Sequence, residues 1–148
     1  MNSSGQVNVL LVEDNPAEIR IITEIFKENA INFDITSVKD GMEAMDYLNK
    51  IGKYKNCKTP SLILLDLNLP KKNGLEVLEE IKNDNMLKCI PVIVLTNSSD
   101  DNDITDAYIH YASAYIVKPV DLDTFSEYID IIKHYWFNYA VLPKKSND

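Results

Sequence analysis

The chain has 148 residues, 45% hydrophobic and 26% charged, and its 15 lysines and arginines face 23 aspartates and glutamates for a formal net charge of −8. That size and balance predict one soluble domain able to bury a core without disulfide or metal staples, and an acidic chain lacking a basic cluster is a poor binder of nucleic-acid phosphates. The longest apolar run in the body, residues 90–95, is far short of the roughly 20 residues of a membrane span, and residues 1–7 carry no basic stretch before an apolar one, so no secretory signal is read and a cytoplasmic location is expected.

Val7–Val12 is short, β-branched and apolar, the pattern of a buried strand. Asn15-Pro16 reads as an N-cap followed by proline at the first helical position, and Ile19, Ile22, Ile25 and Phe26 carry a helix to about Glu28. Phe33–Val38 is a second strand, and Asp40 caps a helix bearing Met42, Met45 and Leu48. A polar, basic connection over residues 52–60 leads to a third strand, Leu62–Leu65. Gly74 opens a helix with Leu75, Leu78 and Ile81 on one face. Residues 91–95 form a fourth strand, residues 100–111 a helix, and Ala114–Val117 a short fifth strand. Asp121 caps a last helix whose stripe is Phe125, Ile129, Ile132 and Trp136.

Short apolar strands alternating with helices call for a parallel sheet covered on both faces, with right-handed crossovers. Such doubly wound sheets place their chemistry at the carboxyl ends of the strands. There the sequence sets Glu13-Asp14, Asp66, Thr96-Asn97-Ser98 and Lys118-Pro119. Three carboxylates in one crevice repel by several kcal/mol unless a proton or cation intervenes. A hard divalent cation held by oxygens describes magnesium better than zinc. Lys118 adds a fixed positive charge and Thr96 a hydroxyl, which together make a place for a phosphoryl group with a carboxylate as acceptor. Each feature alone is an ordinary cap or turn, and the specificity lies in their joint occurrence. Cys57 and Cys89 lack metal-ligand spacing and read as unpaired thiols, with an oxidative disulfide conceivable. His110 and His134 read as helix-surface residues.

The segments Leu11-Val12-Glu13-Asp14-Asn15, Leu64-Leu65-Asp66-Leu67-Asn68-Leu69-Pro70 with Gly74, Val94-Leu95-Thr96 and Tyr115-Ile116-Val117-Lys118-Pro119 resemble the receiver domain of two-component response regulators. The resemblance implies a flavodoxin-like (βα)5 fold of class α/β, a doubly wound five-stranded parallel sheet of order 2-1-3-4-5. It implies Asp66 as phosphoacceptor, with Mg2+ bound by Asp14, Asp66 and the backbone carbonyl of Asn68, and by Glu13 through water. Thr96 and Lys118 would contact the phosphoryl group, Thr96 and Tyr115 would form the switch, and the bond before Pro119 would be cis. Asn68, Asn97 and Ser98 would modulate access to the acceptor: Asn97 stands where the family is usually small, and neither Asn68 nor Ser98 can act as a general base. The opening Glu13-Asp14-Asn15-Pro16-Ala17-Glu18, the long loop before Leu62 and the aromatic segment at residues 135–143 resemble the stand-alone regulators that partner bacterial phytochromes and related sensor histidine kinases.

These features predict a receiver at residues 7–138, a tail at 139–148 and no output domain. The expected function is acceptance of a phosphoryl group from a histidine kinase, followed by a change in partner preference. The alternative is a degenerate receiver serving as a phosphorylation-independent binding module. A haloacid-dehalogenase-type phosphatase is disfavoured, because it resembles this pattern but needs a second Asp where Asn68 stands. Tyr108, Tyr111, Tyr115, Ile131, Tyr135, Trp136, Phe137 and Tyr139 place many apolar groups on the last two helices, the fifth strand and the tail, so a symmetric homodimer through that face is expected. The downstream partner is not named by the sequence.

Overall fold

The computed structural model describes residues 7–28 and 33–143. The opening residues read above for a signal, and the end of the expected tail, lie outside them.

The five strands β1 (Val7–Val12), β2 (Phe33–Val38), β3 (Leu62–Leu65), β4 (Val92–Thr96) and β5 (Ala114–Val117) form one parallel sheet of order β2-β1-β3-β4-β5. The helices between and after them are α1 (Pro16–Lys27), α2 (Gly41–Leu48), α3 (Gly74–Asn83), α4 (Asp101–Ile109) and α5 (Leu122–His134). A single 3-10 turn, Gly52–Tyr54, breaks the long connection before β3, and Tyr135–Tyr139 continues α5 as a π-helical turn. No helix among the described residues is long and apolar enough to cross a membrane.

Strand alternation divides the core into two layers. Leu10, Val12, Ile63, Leu65, Val92 and Val94 face α2, α3 and α4, packing with Leu48, Leu78, Ile81 and Ala107. Val9, Leu11, Leu62, Leu64, Ile93 and Leu95 face α1 and α5, packing with Ile22, Phe26, Phe125, Ile129 and Ile132. β3 and β4 are buried along their whole length, which is why they read as unbroken apolar runs.

The expected caps are formed. The Asn15 side chain accepts from the backbone N–H of Ala17 and Glu18, Asp40 from Glu43, and Asp121 from Thr124. Asn73 and Glu76 close a capping box at the start of α3.

Three expectations are corrected here. β4 begins at Val92 rather than at residue 91 and takes in Thr96, which pairs with Val117; Pro91 has no N–H for the ladder and contributes only its carbonyl, to Ile63 N–H. Trp136, placed both in the stripe of the last helix and among the outward groups, packs with the stripe on the α1/α5 layer, and Phe137, expected on the outward face, joins it there, edge-on to Phe26. The peptide bond before Pro119 is trans, since the described residues contain no cis bond. Trans is the lower-energy isomer even before proline, and with it the Lys118 side chain already reaches its partners in the crevice. Cys57 and Cys89 are not joined in a disulfide.

Candidate functional site

Each strand end delivers its residue to the same edge of the sheet. Glu13 follows β1 and is held by its own backbone, which donates to Val38 O at 3.0 Å. Asp66 follows β3, its N–H donating to Val12 O at 3.0 Å. Lys118 follows β5, its N–H donating to Thr96 O at 2.7 Å. The sheet ladder thus continues one residue past its end and fixes the site residues by main-chain bonds. Leu67, buried at 5% exposure, anchors the loop after Asp66 into the core. Gly74 lies so close beneath that loop that a Cβ on it would meet Asp66 O at 2.3 Å.

Glu13, Asp66, Thr96 and Lys118 are the buried polar side chains of the described residues, in a protein whose core is otherwise apolar. Carboxylate oxygens of Glu13, Asp14 and Asp66 all lie within 4.8 Å of one another, with Asp14 exposed and the other two buried. The Lys118 ammonium donates to Glu13 Oε1 at 2.7 Å, Glu18 Oε1 at 2.5 Å and Asp66 Oδ2 at 3.2 Å. Asp66 Oδ1 accepts from Asn68 N–H at 3.2 Å, and Glu13 Oε2 from Asn15 N–H at 3.2 Å.

Burial pushes the Glu13 carboxyl up to about 7, with the neighbouring Asp66 charge adding to the rise and Lys118 opposing it. Burial alone would depress Lys118, but hydrogen bonds to Glu13 and Glu18 and the charges of Glu13 and Asp66 outweigh it and raise the ammonium above the usual lysine range. The cluster therefore holds a permanent cation among excess negative charge. Its oxygen-only donor set, crowded on one solvent-facing side at Asp14, fits a hard divalent cation.

Thr96 is fully buried at the end of β4, and its Oγ1 accepts from Ser98 N–H at 3.5 Å. Beyond it, the loop is tied to two elements. Ser98 Oγ donates to Asp103 in the first turn of α4 at 2.6 Å, and Ser98 O accepts from the Tyr115 hydroxyl at 2.8 Å. Burial, with the charges of Asp103, Asp100 and Asp66 nearby, raises the Tyr115 phenol despite that bond. Tyr115 N–H donates to the Tyr108 hydroxyl at 3.1 Å, closing one donor of the edge strand. Asn68, beside Asp66, and Asn97, next to Thr96 in the chain, are both exposed. Of the residues read from the strand ends, Glu13, Asp14, Asp66 and Lys118 thus meet at one edge, with Thr96 joined to Lys118 through the main chain. Glu18, which the sequence reading did not place there, meets them too: its carboxylate comes from the first turn of α1, and its signal lay only in its position five residues after Glu13.

The family model of the response regulator receiver domain matches residues 9–130. The chain belongs to this family. Among curated receiver proteins it is 41% identical over 135 residues to response regulator Rcp1 of Synechocystis sp., spanning 91% of this chain and 92% of that one. The crystal structure of the phosphorylated cyanobacterial phytochrome response regulator RcpA superposes with a TM-score of 0.91 at 45% identity, over 94% of this chain and 99% of that one. The Mn(2+)-bound form of Rcp1 superposes with a TM-score of 0.90 at 40% identity, over 93% of this chain and 99% of that one. Receiver domains of this kind are signalling domains rather than conventional enzymes, and the sheet order and helix arrangement here are theirs.

Proposed function

We propose that this receiver accepts a phosphoryl group on Asp66 from a sensor histidine kinase of the phytochrome type and thereby switches its partner-binding face. The observation that carries the reading is the buried Lys118–Asp66 pair beside the Glu13, Asp14 and Asp66 carboxylates. The similarity to RcpA and Rcp1 supports the kinase class.

Asp14, Asp66, the carbonyl of Asn68 and, through water, Glu13 would hold magnesium, which neutralises charge on the phosphoryl oxygens. The chain's own residues do the rest. The P–N bond of the donor phosphohistidine breaks as a P–O bond forms to Asp66, and the imidazole departs with the electron pair. Lys118 is poised to pass an N–H from Asp66 Oδ2 to a phosphoryl oxygen, and the Thr96 hydroxyl to donate to another. Drawing Thr96 toward the phosphoryl group would pull on the Ser98 segment, and so on the Tyr115 hydroxyl and the first turn of α4. Asn97 and Asn68 narrow the approach of water to the acyl phosphate, and Ser98, engaged with Asp103, does not supply a base.

The exposed groups Tyr108, Tyr111, Ile131, Tyr135 and Tyr139 offer a face for a second copy, which makes a homodimer through α4, β5, α5 and the following segment part of the proposal. Incubation with acetyl phosphate and magnesium, followed by intact-mass measurement, tests the reading. One added phosphate, absent when magnesium is chelated before the donor is added, supports it. Continuous release of inorganic phosphate at high turnover, or no addition at all, would count against it.

A further inference from the structure

An ammonium has three N–H donors, and the three of Lys118 are met by three carboxylates: Glu13 at 2.7 Å, Glu18 at 2.5 Å and Asp66 at 3.2 Å. Two of these carboxylates have other duties, because Glu13 and Asp66 belong to the group whose oxygens crowd together with those of Asp14. Glu18 stands outside that group. Its backbone is fixed at the start of α1, where Pro16 opens the helix and Asn15 accepts the Glu18 N–H at 3.1 Å. Its side chain is 19% exposed and bonds to an ammonium that is 2% exposed, so the contact is largely screened from water.

We propose that Glu18 is a positioning residue for Lys118, clamping the ammonium from the α1 side so that it stays in the crevice when Asp66 gives up its share of the contact to an arriving phosphoryl group. The inference rests on the reading of Asp66 as phosphoacceptor. The longest of the three bonds, to Asp66, is the one released to the phosphoryl oxygens. Glu13 and Glu18 then hold the other two N–H donors, and Glu18 does so without being claimed by a cation. An anchor of this kind makes a counter-intuitive prediction. Removing a negative charge beside an anion site ordinarily strengthens anion binding. Removing this one weakens it, because the ammonium that binds the anion loses its tether.

The probe is fluoroberyllate, a phosphoryl mimic, titrated in magnesium buffer against the full chain, with Glu18→Ala, Glu18→Gln, Lys118→Ala and the double variant Glu18→Ala/Lys118→Ala. Loss of one charge-assisted hydrogen bond predicts about tenfold weaker binding for Glu18→Ala. Glu18→Gln keeps an acceptor oxygen and should lose less. In the Lys118→Ala background, Glu18→Ala should cause no further loss. Binding by Glu18→Ala as tight as wild type or tighter, or the same loss with and without Lys118, overturns the proposal. A second readout needs neither metal nor anion: thermal melts in chelator of wild type, Glu18→Ala, Lys118→Ala and the double variant. Non-additive shifts for Glu18→Ala and Lys118→Ala support the clamp, and additive shifts overturn it. If wild type itself fails to bind fluoroberyllate, the phosphoacceptor reading falls, while the chelator melts still decide the clamp.

Discussion

Asp14 is the exposed member of the carboxylate group, and Glu13 and Asp66 are its buried neighbours. Without a cation the three repel, and Lys118 offsets only one unit of their charge. Asp14→Asn should therefore stabilise the metal-free protein by up to about 1 kcal/mol, the screened value for a solvent-facing charge, while removing magnesium-dependent labelling. A melt in chelator showing Asp14→Asn to be less stable than wild type would contradict this. Lys118→Arg keeps the charge but exchanges a compact ammonium for a broad planar fork, which cannot meet Glu13, Glu18 and Asp66 from one point. That variant should accept phosphate yet leave partner affinity unswitched, and a phosphorylated Lys118→Arg protein with wild-type partner affinity would refute the coupling. At this scale the strand-end residues were legible because a parallel sheet sends every strand's carboxyl end to one edge. Glu18 was not, because its contact with Lys118 joins residues 100 positions apart and depends on the rotation of α1, which no local pattern encodes.

Among the elements, the β3–α3 connection has the least room. A Cβ on Gly74 would lie 2.3 Å from Asp66 O and 2.5 Å from Leu67 Cα, both backbone atoms that cannot rotate away. Gly74→Ala should displace the Asp66 loop and cost about 1–3 kcal/mol, the usual range for overpacking, with slower labelling by acetyl phosphate. An unchanged melting temperature together with an unchanged labelling rate would show that the loop tolerates the methyl group. The bounds of β1, β2, β3 and β5 agree with those read from apolar runs, since the flanking residues are polar or turn-forming. β4 moved by one residue because its start is set by where Pro91 lacks a donor, and its end by the pairing of Thr96 with Val117. α4 buries only Ala107, so its apolar residues mark exposed surface rather than a core stripe, and its end at Ile109 owes more to the left-handed Tyr111 (φ 69°) than to periodicity.

For the whole molecule, the two core layers leave several aromatic groups in water on the α4–β5–α5 side and the segment that follows α5. Tyr111 is 75% exposed and Tyr139 69% exposed, whereas Trp136 and Phe137 have been withdrawn into the α1/α5 layer. The helical stripe of the sequence already turned Trp136 inward but not Phe137, because the π-helical turn at Tyr135–Tyr139 changes the angular period at that point. If the exposed set forms the homodimer interface, sedimentation at tens of micromolar should give a dimer whose affinity changes with fluoroberyllate and magnesium, and Tyr111→Glu should shift it toward monomer. A wild-type monomer in both states would remove the dimer from the account. The central claim is that Asp66 carries the phosphoryl group, and borohydride trapping tests it most directly. Reduction of the acyl phosphate formed with acetyl phosphate and magnesium, followed by peptide mass mapping, should give homoserine at position 66 alone and none in Asp66→Asn. Homoserine at position 14 or another aspartate, or undiminished labelling of Asp66→Asn, would contradict it.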